Sequence, residues 1–105
     1  MKEEYKKWVE DYLVDTQNLD VSGFEHLQML MNRDRIEQIK DELDAATRQI
    51  LHTADRLLYM DAVKTYIEAS KIFSFEDKRL ERSITPSHWW WYLDVCNYMW
   101  NDVNG

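Results

Sequence analysis

The residues best suited to chemistry in this 105-residue chain are three histidines and one cysteine: His26, His52, His88 and Cys96. None of the histidines belongs to an H-E-x-x-H motif or to an E-x-x-H pair of the di-iron type. His52 and Asp55 are spaced i,i+3, which favours a local hydrogen bond as much as catalysis. Cys96 falls on an apolar helix face, where a thiol behaves as a small hydrophobic group. We therefore predict no catalytic residue, no metal site and no cofactor.

Arg82 and His88 form one further pair, separated by five residues in the stretch RSITPSH. This spacing resembles the R-x4-6-H signature of HEPN ribonucleases, a family of small all-helical domains. The resemblance implies that Arg82 would stabilise charge and that His88 would shuttle protons at an RNA phosphate. Thr85 and Pro86 lie inside the spacing and depart from the family's pattern, so ribonuclease activity is the least favoured function.

Two helix start signals lie in the last third of the chain. Ser74 is expected to cap a short helix that runs through Arg82, with acidic residues early and basic residues late. Thr85 as N-cap and Pro86 at the first helical position predict a second helix, from Pro86 to about Asp102. This helix would carry the unbroken aromatic row WWWY.

One face of that last helix is predicted to remain outside the core. Trp91, Val95 and Tyr98 share this face, and Trp90 lies half exposed among polar residues. Each aromatic side chain buries about 150–250 Å² when it is covered, so leaving the face in water would expose a patch typical of contact sites. We predict that Trp90, Trp91, Val95 and Tyr98 bind a protein partner, most simply a second copy of the chain in a homodimer. The alternative is that the chain's own helices enclose both faces.

The rest of the chain predicts an all-α bundle of four to six helices in a single domain, residues 1–105. Apolar residues at steps of three and four predict a first helix from about Glu3 to Asn18. Ser22 with Glu25 is a capping-box pattern that starts a second helix. The apolar face of this second helix is predicted to comprise four residues: Phe24, Leu27, Leu30 and Met31.

A long central helix is predicted after a break between Asn32 and Asp34, with Asp34 as its N-cap. Its apolar residues follow a heptad-like seam as far as Leu57. At residues 59–61 the apolar stripe shifts phase. Either a fourth helix begins there, or one helix continues to Ile72.

The composition limits the partners that the chain can have. Its 20 acidic and 13 basic residues give a net charge of −7, which disfavours binding to nucleic acid through a basic patch. The charged start MKEEYKKWVEDY does not resemble a signal peptide, and no window approaches the run of about 18 apolar residues that a membrane helix needs. We therefore expect a cytoplasmic protein that does not bind a membrane.

Three functions follow from these observations, in order of preference. The first is a small acidic, non-enzymatic binding or regulatory protein that acts through the aromatic-rich helical interface. The second is an acidic inhibitor or nucleic-acid mimic that binds a basic enzyme. The third is the HEPN-like ribonuclease.

Overall fold

The structure is a computed structural model that describes residues 1–96. Five α-helices lie wholly within this part of the chain: α1 (Glu3–Gln17), α2 (Gly23–Ile39), α3 (Ala45–Met60), α4 (Ala62–Ala69) and α5 (Phe75–Arg82). Residues 93–96 are also α-helical. Two short 3-10 helices complete the described part, at Lys40–Glu42 and Trp89–Trp91. Residues 1–96 contain no β-strand, which confirms the predicted all-α class and the range of four to six helices. None of the helices among these residues is long and apolar enough to cross a lipid bilayer.

α1 lies against α3 and α2, and it forms where the periodicity predicts it. The residues that it buries follow the helical repeat in steps of three and four: Tyr5, Val9, Tyr12 and Thr16. The helix ends at Gln17, one residue before the predicted end. Since Tyr12 is fully buried at the centre of this face, its hydroxyl group must find a partner inside the protein.

The predicted capping box starts α2. The amide of Glu25 donates to the hydroxyl oxygen of Ser22 at 3.4 Å, and the amide of Ser22 donates to the Glu25 carboxylate at 3.3 Å. Gly23 follows the cap and lies against α4, where a Cβ atom would approach the carbonyl oxygen of Glu68 to 2.4 Å. The absence of a side chain at this position therefore lets α2 and α4 pack closely.

The predicted apolar face of α2 is wrong in part. Phe24 is 56% exposed and Met31 is 51% exposed, although Leu30 is buried as expected. The face that α2 buries contains polar residues instead, since His26 and Arg33 are 1% and 3% exposed. Arg33 is held there by Asp55, 22 residues later, and His26 by the carbonyl oxygen of Leu19. Because these polar side chains have partners inside the protein, hydrophobic periodicity points to the wrong side of the helix.

The predicted bounds of the third helix are also wrong. α2 continues without a break past Asp34 to Ile39, and α3 begins only after Asp44. Asp44 is the N-cap that the chain uses, because its carboxylate accepts from the amide of Thr47 at 2.8 Å. α2 and α3, with 17 and 16 residues, are the longest helices described. The predicted phase shift is confirmed as a helix break, because α3 ends at Met60 and α4 begins at Ala62, so one helix continuing to Ile72 is wrong.

α5 is confirmed from Ser74 to Arg82. The hydroxyl oxygen of Ser74 accepts from the amide of Asp77 at 3.2 Å, so Ser74 is the N-cap. Ser83 ends the helix in the left-handed region, with φ of 51°, and the amide of Ile84 donates back to the carbonyl oxygen of Arg79. This turn directs the chain back across α2, towards the aromatic row.

Candidate functional site

The carboxylate of Asp34 holds two of the tryptophans in the aromatic row. Trp90 Nε1 and Trp91 Nε1 both donate to Asp34 Oδ1, each at 2.8 Å. The two side chains are 1% and 0% exposed. Asp34 lies in the middle of α2, and the tight 3-10 turn Trp89–Trp91 brings both indole groups onto it. Each buried N–H group therefore has a charged acceptor, which is the stronger kind of hydrogen bond.

The other two rings of the row are half-buried at its ends. Trp89 meets Tyr59 of α3 edge to face, with ring centroids 6.2 Å apart. Tyr92 donates from its hydroxyl group to the carbonyl oxygen of Ile84 at 2.6 Å, and the Arg79 guanidinium lies 4.6 Å from its ring centroid. All four rings therefore contact the chain's own residues.

This arrangement corrects the predicted last helix and two residues of the predicted interface. Pro86 lies in a turn rather than at a helix start, and among the described residues of the predicted helix only 93–96 are α-helical. Trp90 and Trp91, assigned from the sequence to partner binding, are enclosed by their own chain and offer no surface to a partner. Val95 is 44% exposed, whereas Tyr98 lies outside the described residues. An α-helical wheel misplaces these indoles because the backbone around them is 3-10 rather than α-helical.

The structure brings Arg82 and His88 together on the same carboxylate. Arg82 Nη2 donates to Asp34 Oδ2 at 3.1 Å, and His88 Nδ1 lies 3.6 Å from Asp34 Oδ1, beyond hydrogen-bond distance. The His88 ring stacks on Trp90 with centroids 4.8 Å apart. All three polar side chains line a cleft of about 240 Å³. An imidazole beside a carboxylate could move protons, but Asp34 neutralises the Arg82 charge that would bind a phosphate.

A second, buried network beside the aromatic row centres on Arg33 and Asp55, and the Arg33 guanidinium lies 4.2 Å from the ring centroid of Trp90. Arg33 donates from Nε and Nη2 to the two oxygens of Asp55 at 2.9 and 3.1 Å, and from Nη1 to Glu37 at 3.0 Å. Tyr12 also donates to Asp55, at 2.7 Å. Burial raises the pKa of Tyr12 well above its ordinary value, and the Asp55 charge raises it further. Asp55 therefore accepts hydrogen bonds from Tyr12 and Arg33 rather than from His52, the partner that its spacing suggests.

A cleft of about 310 Å³ opens beside this network, between α2, α3 and the Trp89–Trp91 turn. Six charged residues line it, three of each sign: Arg33, Lys40 and Arg48 with Glu37, Asp41 and Asp55. Arg33 and Lys40 pair with acidic residues of the same lining. Because these charges balance within the lining, we assign this cleft to the stability of the fold.

A third cleft, between the end of α1 and the start of α2, has an excess of negative charge. It has a volume of about 300 Å³, and its acidic residues are Asp15 and Glu25. Burial raises the pKa of Asp15, and the charges of Asp11 and Glu25 raise it further. Neither Asp15 nor Glu25 forms an ion pair with another of the residues 1–96. We call this site, lined by Asp15, Glu25 and His26 with both polar and apolar neighbours, the acidic cleft.

His26 is a buried polar residue in the lining of the acidic cleft. Its Nε2 atom lies 3.0 Å from the carbonyl oxygen of Leu19, while its Nδ1 atom is buried with no hydrogen-bond partner among residues 1–96. Buried polar atoms are nearly always paired, so this nitrogen needs an explanation. Sequence analysis did not select Asp15, Glu25 or His26 as site residues. The signal that could have identified His26 is its position on the helix, because it lies three residues after the capped start Gly23 and on the same face as Leu30.

Cys96 is 7% exposed, and burial raises the pKa of its thiol, with the Asp94 charge adding to the effect. This confirms the predicted buried position of the thiol. Within residues 1–96, no group of three His, Cys, Asp or Glu side chains is close enough to hold a metal ion.

No protein-family model, curated protein or solved structure matches the chain, so its function is inferred from its own residues.

Proposed function

We propose that this chain is a small acidic, non-enzymatic binding protein whose partner is a basic protein, and that the acidic cleft is the contact surface. One observation carries the proposal: Asp15 and Glu25 share a cleft whose lining contains no Lys or Arg. The pKa of Asp15 is raised first by burial and then by the charges of Asp11 and Glu25. A cation from a partner would relieve this repulsion. The aromatic interface is no longer the preferred surface, because Trp90 and Trp91 are buried.

The charge of the whole chain supports the same partner. A net charge of −7 steers cationic molecules towards the surface and increases the rate at which they associate. It also opposes contact between two copies of the chain at the acidic cleft. A basic protein partner therefore fits the electrostatics better than a homodimer does.

The proposal is tested by titrating the protein into a fluorescein-labelled lysine decapeptide and measuring fluorescence anisotropy. We expect a Kd below about 0.1 mM at low salt, because several charge pairs would form at once. The affinity should fall as the salt is raised from about 0.05 to 0.3 M, since salt screens exposed charges. A glutamate decapeptide is the control and should not bind. Failure of the lysine peptide to bind would overturn the proposal.

Ribonuclease activity remains a second candidate because Arg82 and His88 line one cleft with Asp34. The direct test is incubation of the protein with a single-stranded RNA of mixed sequence, followed by gel analysis of the products. Cleavage by the wild type that disappears in His88→Ala and in Arg82→Ala would support this function. An intact RNA, or cleavage that both variants retain, would exclude it.

A further inference from the structure

We infer that the exposed face of α2 is a contact between two copies of this chain, in which Phe24 of each copy enters a hole on α2 of the other. The contact goes beyond the proposed function, because it needs no basic partner and depends on a different set of side chains. The hole borders the acidic cleft, with which it shares Gln28.

The hole is an open depression of about 310 Å³ on the surface of α2, and four residues line it: Gln28, Met31, Asn32 and Arg35. Their spacing along the helix is i, i+3, i+4 and i+7. In coiled coils, four residues of one helix form such a hole and receive one side chain from the facing helix. The depression is therefore suited to a side chain of a second helix.

The polar walls of the hole are already held in place. Arg35 Nη2 donates to Asn32 Oδ1 at 2.7 Å, and Asn32 Nδ2 donates to the carbonyl oxygen of Trp8 at 3.1 Å. The Arg35 guanidinium also lies 3.9 Å from the centroid of the Trp8 ring. Because these side chains are ordered before any partner arrives, they lose little conformational freedom on binding.

Phe24 is the side chain that fits this hole. It lies seven residues before Met31, on the same face of α2, and the two residues are 56% and 51% exposed. A covered aromatic ring removes about 150–250 Å² from water, so the solvent-exposed ring of Phe24 gains by entering a hole. There it would contact Met31 of the other copy and lie beside the Arg35 guanidinium, which is attracted to the face of an aromatic ring.

The surface is self-complementary because the ring and the hole lie on one helix. A two-fold axis that crosses α2 beside Gln28, midway between Phe24 and the hole, places both rings in both holes with the two helices antiparallel. The four lining residues carry one cation and no carboxylate, although the chain has a net charge of −7. The hole itself therefore does not repel a second copy, and the matching ring is present on that copy.

The test is sedimentation equilibrium of the full chain between about 5 and 500 µM protein. We expect a monomer at the low end of this range and an increasing fraction of dimer at the high end. Added salt should strengthen the dimer, because it screens the repulsion between two chains of charge −7. Binding of the lysine decapeptide should respond to salt in the opposite direction, which separates the two contacts. A monomer over the whole range at about 0.3 M salt would overturn the inference.

Two alanine variants locate the contact. Phe24→Ala should weaken dimerisation at least about tenfold, as expected for an aromatic residue at the centre of an interface. Its far-ultraviolet circular dichroism should match that of the wild type, since Phe24 is exposed. Leu80→Ala is the matched control, because Leu80 is an apolar residue of α5 that is 73% exposed, and it should change dimerisation by less than about twofold. Equal effects of the two variants would contradict the proposed contact.

Cysteine cross-linking tests the position of the two-fold axis. Gln28→Cys places a thiol beside the axis, so two copies should form a disulfide under mild oxidation. Gln38→Cys is also exposed on α2, but its two copies would lie about 30 Å apart along the helices, and it should cross-link at least about fivefold more slowly. Cys96 is buried and is the same in both variants. Equal rates of cross-linking would rule out this arrangement of the two helices.

Discussion

Replacement of Asp34 by alanine should destabilise this protein strongly. Asp34 Oδ1 is the acceptor for both Trp90 Nε1 and Trp91 Nε1, and both indole groups are buried. In Asp34→Ala both N–H groups lose their acceptor at once. Each buried donor left without a partner costs about 1–3 kcal/mol, so the two together cost about 2–6 kcal/mol.

The ion pair with Arg82 adds little to this figure. The Arg82 side chain is 43% exposed, and pairs with such exposure contribute less than about 1 kcal/mol. We therefore expect Asp34→Ala to lower the free energy of unfolding by about 2–6 kcal/mol, out of a total of about 5–15 kcal/mol for a domain of this size. Asp34→Asn keeps a carbonyl oxygen for the indoles but loses the charge, so its cost should be about 1–2 kcal/mol.

The assay is urea-induced unfolding followed by tryptophan fluorescence, with the free energy of unfolding extrapolated to zero urea. Asp41→Ala is the matched control, because Asp41 is an exposed aspartate in the short turn after α2. It should change the free energy of unfolding by less than about 0.5 kcal/mol. Measuring Asp34→Ala again in a Trp91→Phe background removes one of the two donors in advance, and there its cost should be smaller by at least about 1 kcal/mol.

A loss below about 1 kcal/mol in Asp34→Ala would refute this account of the aromatic row, because it would mean that the indole groups find other acceptors. An undiminished cost in the Trp91→Phe background would contradict the assignment of that cost to the indole bonds. Either result would show that Asp34 is not the group that holds the indole N–H groups in the core.

Three further predictions concern the core. Tyr12 has a raised pKa, caused first by burial and then by Asp55. Its contribution to the free energy of unfolding is therefore complete below the ordinary tyrosine pKa of about 10. Above that pH the contribution falls, by up to about 1.4 kcal/mol per pH unit. Tyr12→Phe should remove this alkaline loss in thermal melts, and an unchanged slope would contradict it. Gly23→Ala should lower the free energy of unfolding by about 1–3 kcal/mol in urea titrations, because the added Cβ would lie against the Glu68 carbonyl oxygen. An unchanged free energy of unfolding would show that α2 and α4 can separate. Trp91→Asp should abolish the cooperative unfolding transition in near-ultraviolet circular dichroism, because it places an unpaired charge in the core. A variant that stays folded as a monomer would favour the interface predicted from the sequence.

Elements defined by local signals were predictable from the sequence. α1 follows from its apolar spacing, α2 begins at the Ser22–Glu25 capping box, and α5 begins at Ser74. Each signal involves residues within one or two turns of one another, so the backbone there is fixed without knowledge of the rest of the chain.

The Asp34 site and the Arg33 network depend instead on contacts between residues distant in the sequence. Asp34 accepts from indoles 56 and 57 residues later, and Arg33 pairs with Asp55, 22 residues away. Such pairing allows polar side chains to occupy the buried face of α2, where the hydrophobic pattern would place apolar ones. The same contacts explain why Phe24 was wrongly assigned to the core.

The surface at which a basic partner binds can be mapped most directly by two-dimensional ¹H–¹⁵N NMR of the protein with and without the lysine decapeptide. The account predicts that the largest amide shifts fall at the acidic cleft, around Asp15, Glu25 and His26. It also predicts that they weaken together in Asp15→Asn but not in Glu10→Gln. Shifts concentrated at Val95, or spread evenly over every acidic helix, would contradict the assignment of the acidic cleft as the binding surface.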